Sequence, residues 1–192
     1  MNPPQPPDRT RRQLLTAGTA AVALGSGLLP RRADALPQRQ APAVRALAFQ
    51  NLHTGETLRT VYWEQGRYLP QALRDVDHLL RDFRTGEVHP IDLGLLDLLY
   101  ALRRHVGSSQ PIQLISGYRS AATNAALRAR SHGVARASPH MRGMAADIRI
   151  PGLELPRLRD LALSMRAGGV GFYPHSDFVH VDVGAVRRWN GV

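Results

Sequence analysis

Residues 178–183 read Phe-Val-His-Val-Asp-Val, and this alternation restricts the fold more than any other stretch. Successive side chains of a β-strand point to opposite faces. Val179, Val181 and Val183 therefore share one face, and Phe178, His180 and Asp182 share the other. The valine face reads as core. The opposite face carries groups that need hydrogen bonds or solvent, so it can border a cleft. Such a strand belongs to a sheet packed on one side and open on the other.

The other segments supply the rest of that sheet and its cover. "RALAFQNLHTGETLRTVYWE" holds two runs of β-forming residues about an "HTGE" turn, which predicts a hairpin over Ala46–Leu52 and Glu56–Trp63. Leu73, Val76, Leu79, Leu80 and Phe83 recur at helical spacing between Pro70 and Gly86. A second amphipathic helix is expected from Asp92 to His105, with its basic residues where the helix dipole favours them. Ile112–Ser116 reads as a short buried strand ending in a glycine turn. "AATNAALRARSHG" reads as an Ala-rich helix closed by Gly133, and "GMAADIRI" as a strand. A further helix spans about Leu155–Ala167, followed by two paired strands, "GVGFYP" and "DFVHVDV". No internal repeat is present, and helices and strands mix without regular βαβ alternation. The expected class is α+β: one small domain with a mainly antiparallel sheet and flanking helices.

The N-terminus bears on compartment. A basic start is followed by an apolar stretch from Leu14 to Leu29 and then by "ADA". That is the layout of a cleaved export signal, with cleavage after Ala35. Arg11 and Arg12, between Thr10 and Leu14–Leu15, resemble a twin-arginine signal. The stretch is rich in Gly and Ala, and a bilayer span needs about 20 strongly apolar residues. A membrane anchor is therefore disfavoured, and no stable membrane span is expected in the mature chain. The organisation expected is a signal at 1–35, a Pro/Gln linker at 36–44 and a folded domain at 45–192. The mature chain keeps 20 basic and 13 acidic side chains, a formal charge of +7. Such a surface attracts polyanions. In an exported protein these are anionic wall polymers and not nucleic acid.

The chain contains no cysteine, which excludes disulfides and thiolate metal sites. A metal must be held by histidine and carboxylate. Catalytic zinc takes three protein groups and leaves the fourth position open, and His140, Asp147 and His180 can supply two nitrogens and one oxygen. His140 lies in a Gly/Pro-punctuated loop, and Asp147 lies on the strand after it. The small residues of "GMAA" between them allow a tight return. Asp177, three residues before His180, is positioned to move a proton between an attacking water and a leaving amine. Arg119 in "SGYRS" is a candidate oxyanion stabiliser. Each residue also has a plainer reading. Asp182 can take the base role, or accept the second N–H of His180. Arg119 can simply pair with a carboxylate, and Arg142 is another candidate cation. His53, His78, His89, His105, His132 and His175 read as structural or solvated.

The string "SGYRS…SPHMRGMAADI…DFVHVDVG" resembles the zinc peptidases that cut D-amino-acid bonds in bacterial peptidoglycan. That group includes D-alanyl-D-alanine carboxypeptidases and dipeptidases and phage L-alanyl-D-glutamate endolysins. The long "SPHMRGMAADIRIPG" and the helix exit "RAGGVG" resemble most the exported branch typified by murein endopeptidase K. The resemblance spans about Arg45 to Trp189. It implies a Hedgehog/DD-peptidase-like fold and one zinc ion per chain, held by His140, Asp147 and His180. It also implies catalytic roles for Asp177 and Arg119, with Ser138, Tyr118 and Asp182 binding substrate or supporting the site. The dipeptidase branch carries glutamate within Glu-x-Trp-His, whereas Asp177 stands in "DFVH", so dipeptidase specificity is not implied. The implied activity is metal-assisted endopeptidase cleavage of wall cross-links, including those between two diaminopimelate residues, in the periplasm or cell envelope. The alternatives are a non-catalytic zinc-containing wall-binding module and a D,D- or L,D-carboxypeptidase acting on stem peptides. The expected partners are peptidoglycan stems and cross-links, and the export machinery through the signal.

Overall fold

The computed structural model describes residues 43–131 and 133–191. The expected export signal and most of the linker lie outside those residues. Among the described residues, no helix is long and apolar enough to cross a membrane.

The described residues form eight strands in one sheet, four α-helices and a short 3-10 helix. β1 (Val44–Asn51) and β2 (Thr57–Glu64) make the expected hairpin. β3 (Arg67–Tyr68) adds a two-residue edge that the sequence pattern does not announce. α1 (Pro70–Leu79) and α2 (Leu93–Val106) precede β4 (Ile112–Ser116). α3 (Ala121–Arg130) leads to the 3-10 helix (Pro139–Arg142), and β5 (Ala145–Arg149) to α4 (Leu155–Met165). β6 (Gly169–Tyr173), β7 (Phe178–Asp182) and β8 (Arg187–Asn190) complete the sheet. The strand order is β3-β2-β1-β4-β5-β7-β6-β8. Only the β1–β4 and β6–β8 pairs are parallel, so the fold is α+β with a mostly antiparallel open sheet.

Local chemistry sets the helix ends. Asp92 caps α2 by accepting from Gly94 N–H at 2.8 Å, and Gly107 closes it in the left-handed conformation. α1 is shorter than its apolar spacing predicts. It stops at Leu79 because the chain turns at Leu80 and commits the next residues to other partners. Phe83 stacks on His53 with ring centroids 3.9 Å apart. α3 likewise ends before Gly133: Ser131, in extended backbone, is its C-cap.

One core holds the domain. Leu95, Leu99 and Leu102 of α2, Val76 of α1 and Leu158 of α4 pack with Phe49, Leu114, Ile148, Val179 and Val181 of the sheet, all essentially buried. Full burial of each such side chain stabilises by about 1.5–3 kcal/mol. α3 contributes no residue to this cluster; its Leu127 lines a cleft that includes sheet residues Asp147 and His180. The valine face of β7 is therefore core, as its alternation predicts.

A buried carboxylate ties the loop after α1 to the loop after β4. Asp82, 2% exposed, accepts Ser120 N–H at 2.9 Å and Arg84 N–H at 3.0 Å. Leu80 O accepts Tyr118 N–H at 2.7 Å alongside. Burial pushes the Asp82 carboxyl up, but bonds from Thr123, Ser120 and Arg84 outweigh it and hold the group at about 2. A carboxyl whose pKa is depressed on folding stabilises the fold above its unfolded value of about 3.9 and loses that contribution as pH falls. Asp82→Asn is expected to cost about 2 kcal/mol at pH 6. Urea unfolding should show the gap to wild type closing as pH drops from about 4 towards 2.

Candidate metal centre

β5 and β7 run antiparallel with Asp147 directly opposite His180. Both residues sit on the sheet face away from the core, one from each strand of the pair. The third group arrives from the 3-10 helix before β5, which carries His140. Its turn closes at Gly143 in the left-handed conformation, and Met144 N–H then bonds back to Pro139 O at 3.1 Å. His140 is 2% exposed, and Asp147 and His180 are each 5% exposed.

The three inward atoms form a small triangle. His140 Nε2 lies 3.0 Å from His180 Nδ1 and 3.2 Å from Asp147 Oδ1, and His180 Nδ1 lies 2.9 Å from the same oxygen. A tetrahedral ion with metal–nitrogen distances near 2.0–2.1 Å subtends edges of about 3.3–3.4 Å, so the triangle is a slightly contracted face of that polyhedron. The outer atoms are committed elsewhere. His140 Nδ1 donates to Gly117 O at 2.7 Å, and His180 Nε2 donates to Asp182 Oδ2 at 3.0 Å. Each inner nitrogen then presents a lone pair. Two lone pairs and a carboxylate oxygen at such distances repel one another unless a cation lies between them. The donor set therefore fits a divalent metal.

Each surrounding partner fixes one ligand. Arg119 Nη2 donates to Asp147 Oδ2 at 3.0 Å and to Ser116 Oγ at 3.3 Å, leaving Oδ1 to the histidines. The β4–β5 register shifts between Leu114 and Ser116, a bulge that turns Ser116 towards this cluster. Gly117 backs directly onto Leu80, and a Cβ there would collide with the Leu80 carbonyl. The close approach seats the carbonyl that orients His140. Asp182 is fully buried and accepts from Gly169 N–H, Gly184 N–H and Arg187 as well as His180.

The charges respond accordingly. Burial lowers the His140 imidazole pKa. At His180 burial also works downward, but the Asp147 and Asp182 carboxylates outweigh it and raise the ring. Burial pushes Asp147 up, yet the two histidines, when they rather than an ion carry the positive charge between them, hold it far below the usual carboxylate range. The cluster draws positive charge to Asp147 Oδ1.

The triangle opens on a cleft of about 490 Å³. Arg119, Ser138 and Leu127 line it on one side, and Tyr173, Phe178 and Trp189 on the other. Of the residues expected at a site, His140, Asp147, His180, Arg119 and Ser138 thus converge there. Asp182 lies behind His180, with every oxygen engaged, so its geometry is that of an orienting group and not of a base. Arg119 pairs with a carboxylate and also lines the cleft. Tyr118 lies off the cleft: it is buried, donates to Glu87 Oε1 at 2.6 Å and stacks on His89. Arg142 is exposed and does not line the cleft. Asp177 precedes the cleft residue Phe178, is largely exposed, and pairs with Arg149 in left-handed backbone, φ 54°. Arg187 and Trp189 carry no motif of their own. Their signal is indirect, the Gly169-x-Gly171 spacing in a strand, which marks close approach of other groups.

A family model described as peptidoglycan L,D-endopeptidase MepK matches residues 39–189. The chain is 47% identical over 182 residues to the peptidoglycan L,D-endopeptidase MepK of Escherichia coli (strain K12), covering 95% of this chain and 98% of that protein. It is 41% identical over 186 residues to the probable peptidoglycan L,D-endopeptidase MepK of Haemophilus influenzae, covering 96% and 98%.

The geometry predicts one divalent ion per chain. Elemental analysis should find it in the wild type and lose it in His140→Ala and His180→Ala. Asp182→Asn should retain the ion with about 10–100-fold weaker affinity, as for other groups that orient a ligand.

Proposed function

The chain belongs to the peptidoglycan L,D-endopeptidase MepK family, and on that premise we propose that it is an exported, zinc-dependent endopeptidase that hydrolyses L,D peptide cross-links of the bacterial wall. The observation that carries the reading is the triangle of two imidazole nitrogens and one carboxylate oxygen facing an open cleft. Two histidines and a carboxylate are a recurrent zinc set in peptidases. The Hedgehog/DD-peptidase-like arrangement belongs to the same proposal.

His140, Asp147 and His180 would hold zinc. When bound, it supplies Lewis acidity for the scissile carbonyl and makes water acidic enough to attack near neutral pH. Arg119, anchored on Asp147 along the cleft wall, faces the negative charge that builds on the carbonyl oxygen. Asp177 takes the proton given up by the attacking water and returns it to the leaving amine. Its carboxylate is held by Arg149, so this role requires Arg149 to exchange partners when substrate enters. Ser138 lines the cleft beside His140, and Tyr118 supports the Arg119 loop from behind. A basic surface favours the anionic wall, and the link between two diaminopimelate residues is the expected substrate.

Digestion of cross-linked peptidoglycan, with released muropeptides quantified, tests the reading. Asp177→Asn should retain zinc and lose about 10²–10⁴-fold in turnover. Cleavage within about threefold of wild type would remove Asp177 as base. Wild type that binds sacculi and releases nothing would favour the wall-binding module.

The export assignment rests on "TRRQLL" followed by a weakly apolar stretch and "ADA". Replacing Arg11 and Arg12 with lysine should block arrival in the periplasm, followed by cell fractionation. Unchanged export would point to the general secretory route.

A further inference from the structure

β8 is an edge strand, two strands removed from β7 in the order β7-β6-β8. Neighbouring strands are about 4.8 Å apart, so a β8 side chain reaches β7 only by crossing the face of β6. On the cleft face β6 presents Gly169 and Gly171, paired in register with Arg187 and Trp189. The two glycines leave a trough across the sheet. Trp189 lies over Gly171, its ring centroid 5.1 Å from that of His180. Arg187 lies over Gly169 and grips Asp182 with both terminal nitrogens, Nη2 to Oδ2 at 2.6 Å and Nη1 to Oδ1 at 3.2 Å. A Cβ at Gly169 would strike both the guanidinium and the Asp182 carboxylate.

The oxygen that receives Nη2 is the one that accepts His180 Nε2–H at 3.0 Å. A two-point guanidinium clamp fixes the plane of a carboxylate, which a single charge does not. The carboxylate plane in turn fixes the rotation of the imidazole and the direction of its Nδ1 lone pair.

We propose that Arg187 is a positioning residue of the metal centre: it reaches across the glycine trough of β6 and, through Asp182, sets the orientation in which His180 offers Nδ1 to the metal. This rests on the zinc assignment above. Arg187 is not one of the three donor residues, and it acts on the metal centre through Asp182.

The test uses the full mature chain and zinc affinity measured by competition with a chromophoric chelator. Arg187→Met should weaken binding by about 10-fold, the lower end of the loss seen when orienting partners are removed. Arg187→Lys keeps the charge but not the fork and should fall between the two. Arg188→Met, one residue along on the opposite face, should match wild type. Cobalt(II) replaces zinc as a spectroscopic reporter, and the visible bands of the Arg187→Met complex should change in position and intensity. A residue that only braced β8 would lower thermal stability of the metal-free protein and leave those bands intact. Affinity within about twofold of wild type in Arg187→Met, an equal loss in Arg188→Met, or an unchanged cobalt spectrum each overturns the proposal. If Arg187→Met does not fold, wild-type affinity in Arg187→Lys overturns it. A wild-type chain that binds no zinc overturns the metal reading and this proposal together; a wild type that binds, beside an unaltered Arg187→Met, overturns this proposal alone.

Discussion

The pairing register of β5 against β7 is the constraint on which the site depends. Asp147 stands opposite His180 because Ala146 faces Val181 and Ile148 faces Val179 on the other side. A slip of β7 by one residue would turn His180 into the core and its valines into the cleft. The register is set by burial: Ala146, Ile148, Val179 and Val181 are wholly inaccessible, and exposing them would forfeit several kcal/mol. The core thus fixes where the metal-binding atoms point, although none of its residues touches them.

The second constraint is charge. Three buried carboxylates lie in or near the site, and each is satisfied differently. Asp147 has Arg119 on one oxygen and the histidines on the other. Asp182 has Arg187, His180 and two backbone N–H groups. Asp82 relies on neutral donors, Ser120 and Thr123 at the start of α3 and the backbone N–H of Arg84. An unpaired buried carboxylate would be costly. The same contacts that remove this cost also hold the loop bearing Gly117 and Arg119, and with it the second orientation point of His140.

Much of this was legible in the sequence, because the strongest signals there have period two. The alternation in "FVHVDV" identified both faces of β7, and His140, Asp147 and His180, singled out as a possible donor set, come together in the fold. The hairpin, β4 and α2 follow from turn residues, apolar runs and helical spacing. What the sequence did not display depends on tertiary partners. Leu80 and Phe83 fit the helical period, yet α1 stops earlier because Leu80 O and Asp82 are needed by the loop after β4. β3 and β8 are short edge strands whose pairing, not whose composition, makes them strands. Tyr118 sits inside a site motif but turns away from the cleft, since its hydroxyl finds Glu87. Arg187 is one arginine among many, and only the glycines beneath it distinguish it.

The clamp on Asp182 also has a consequence for the order of events in folding. Gly117, His140, Asp147, His180 and Arg187 contribute to one centre, yet they are spread over some seventy positions of chain. Contacts of long sequence separation form late, because closing large loops is entropically unfavourable until other contacts reduce the search. β8 follows His140, Asp147 and His180 along the chain, so synthesis presents these three side chains before the strand whose Arg187 grips Asp182 behind His180. The bonds that surround Asp182 are complete only when the sheet has closed at its far edge. For a hydrolase of the cell's own wall, catalytic competence therefore arrives together with the completed fold.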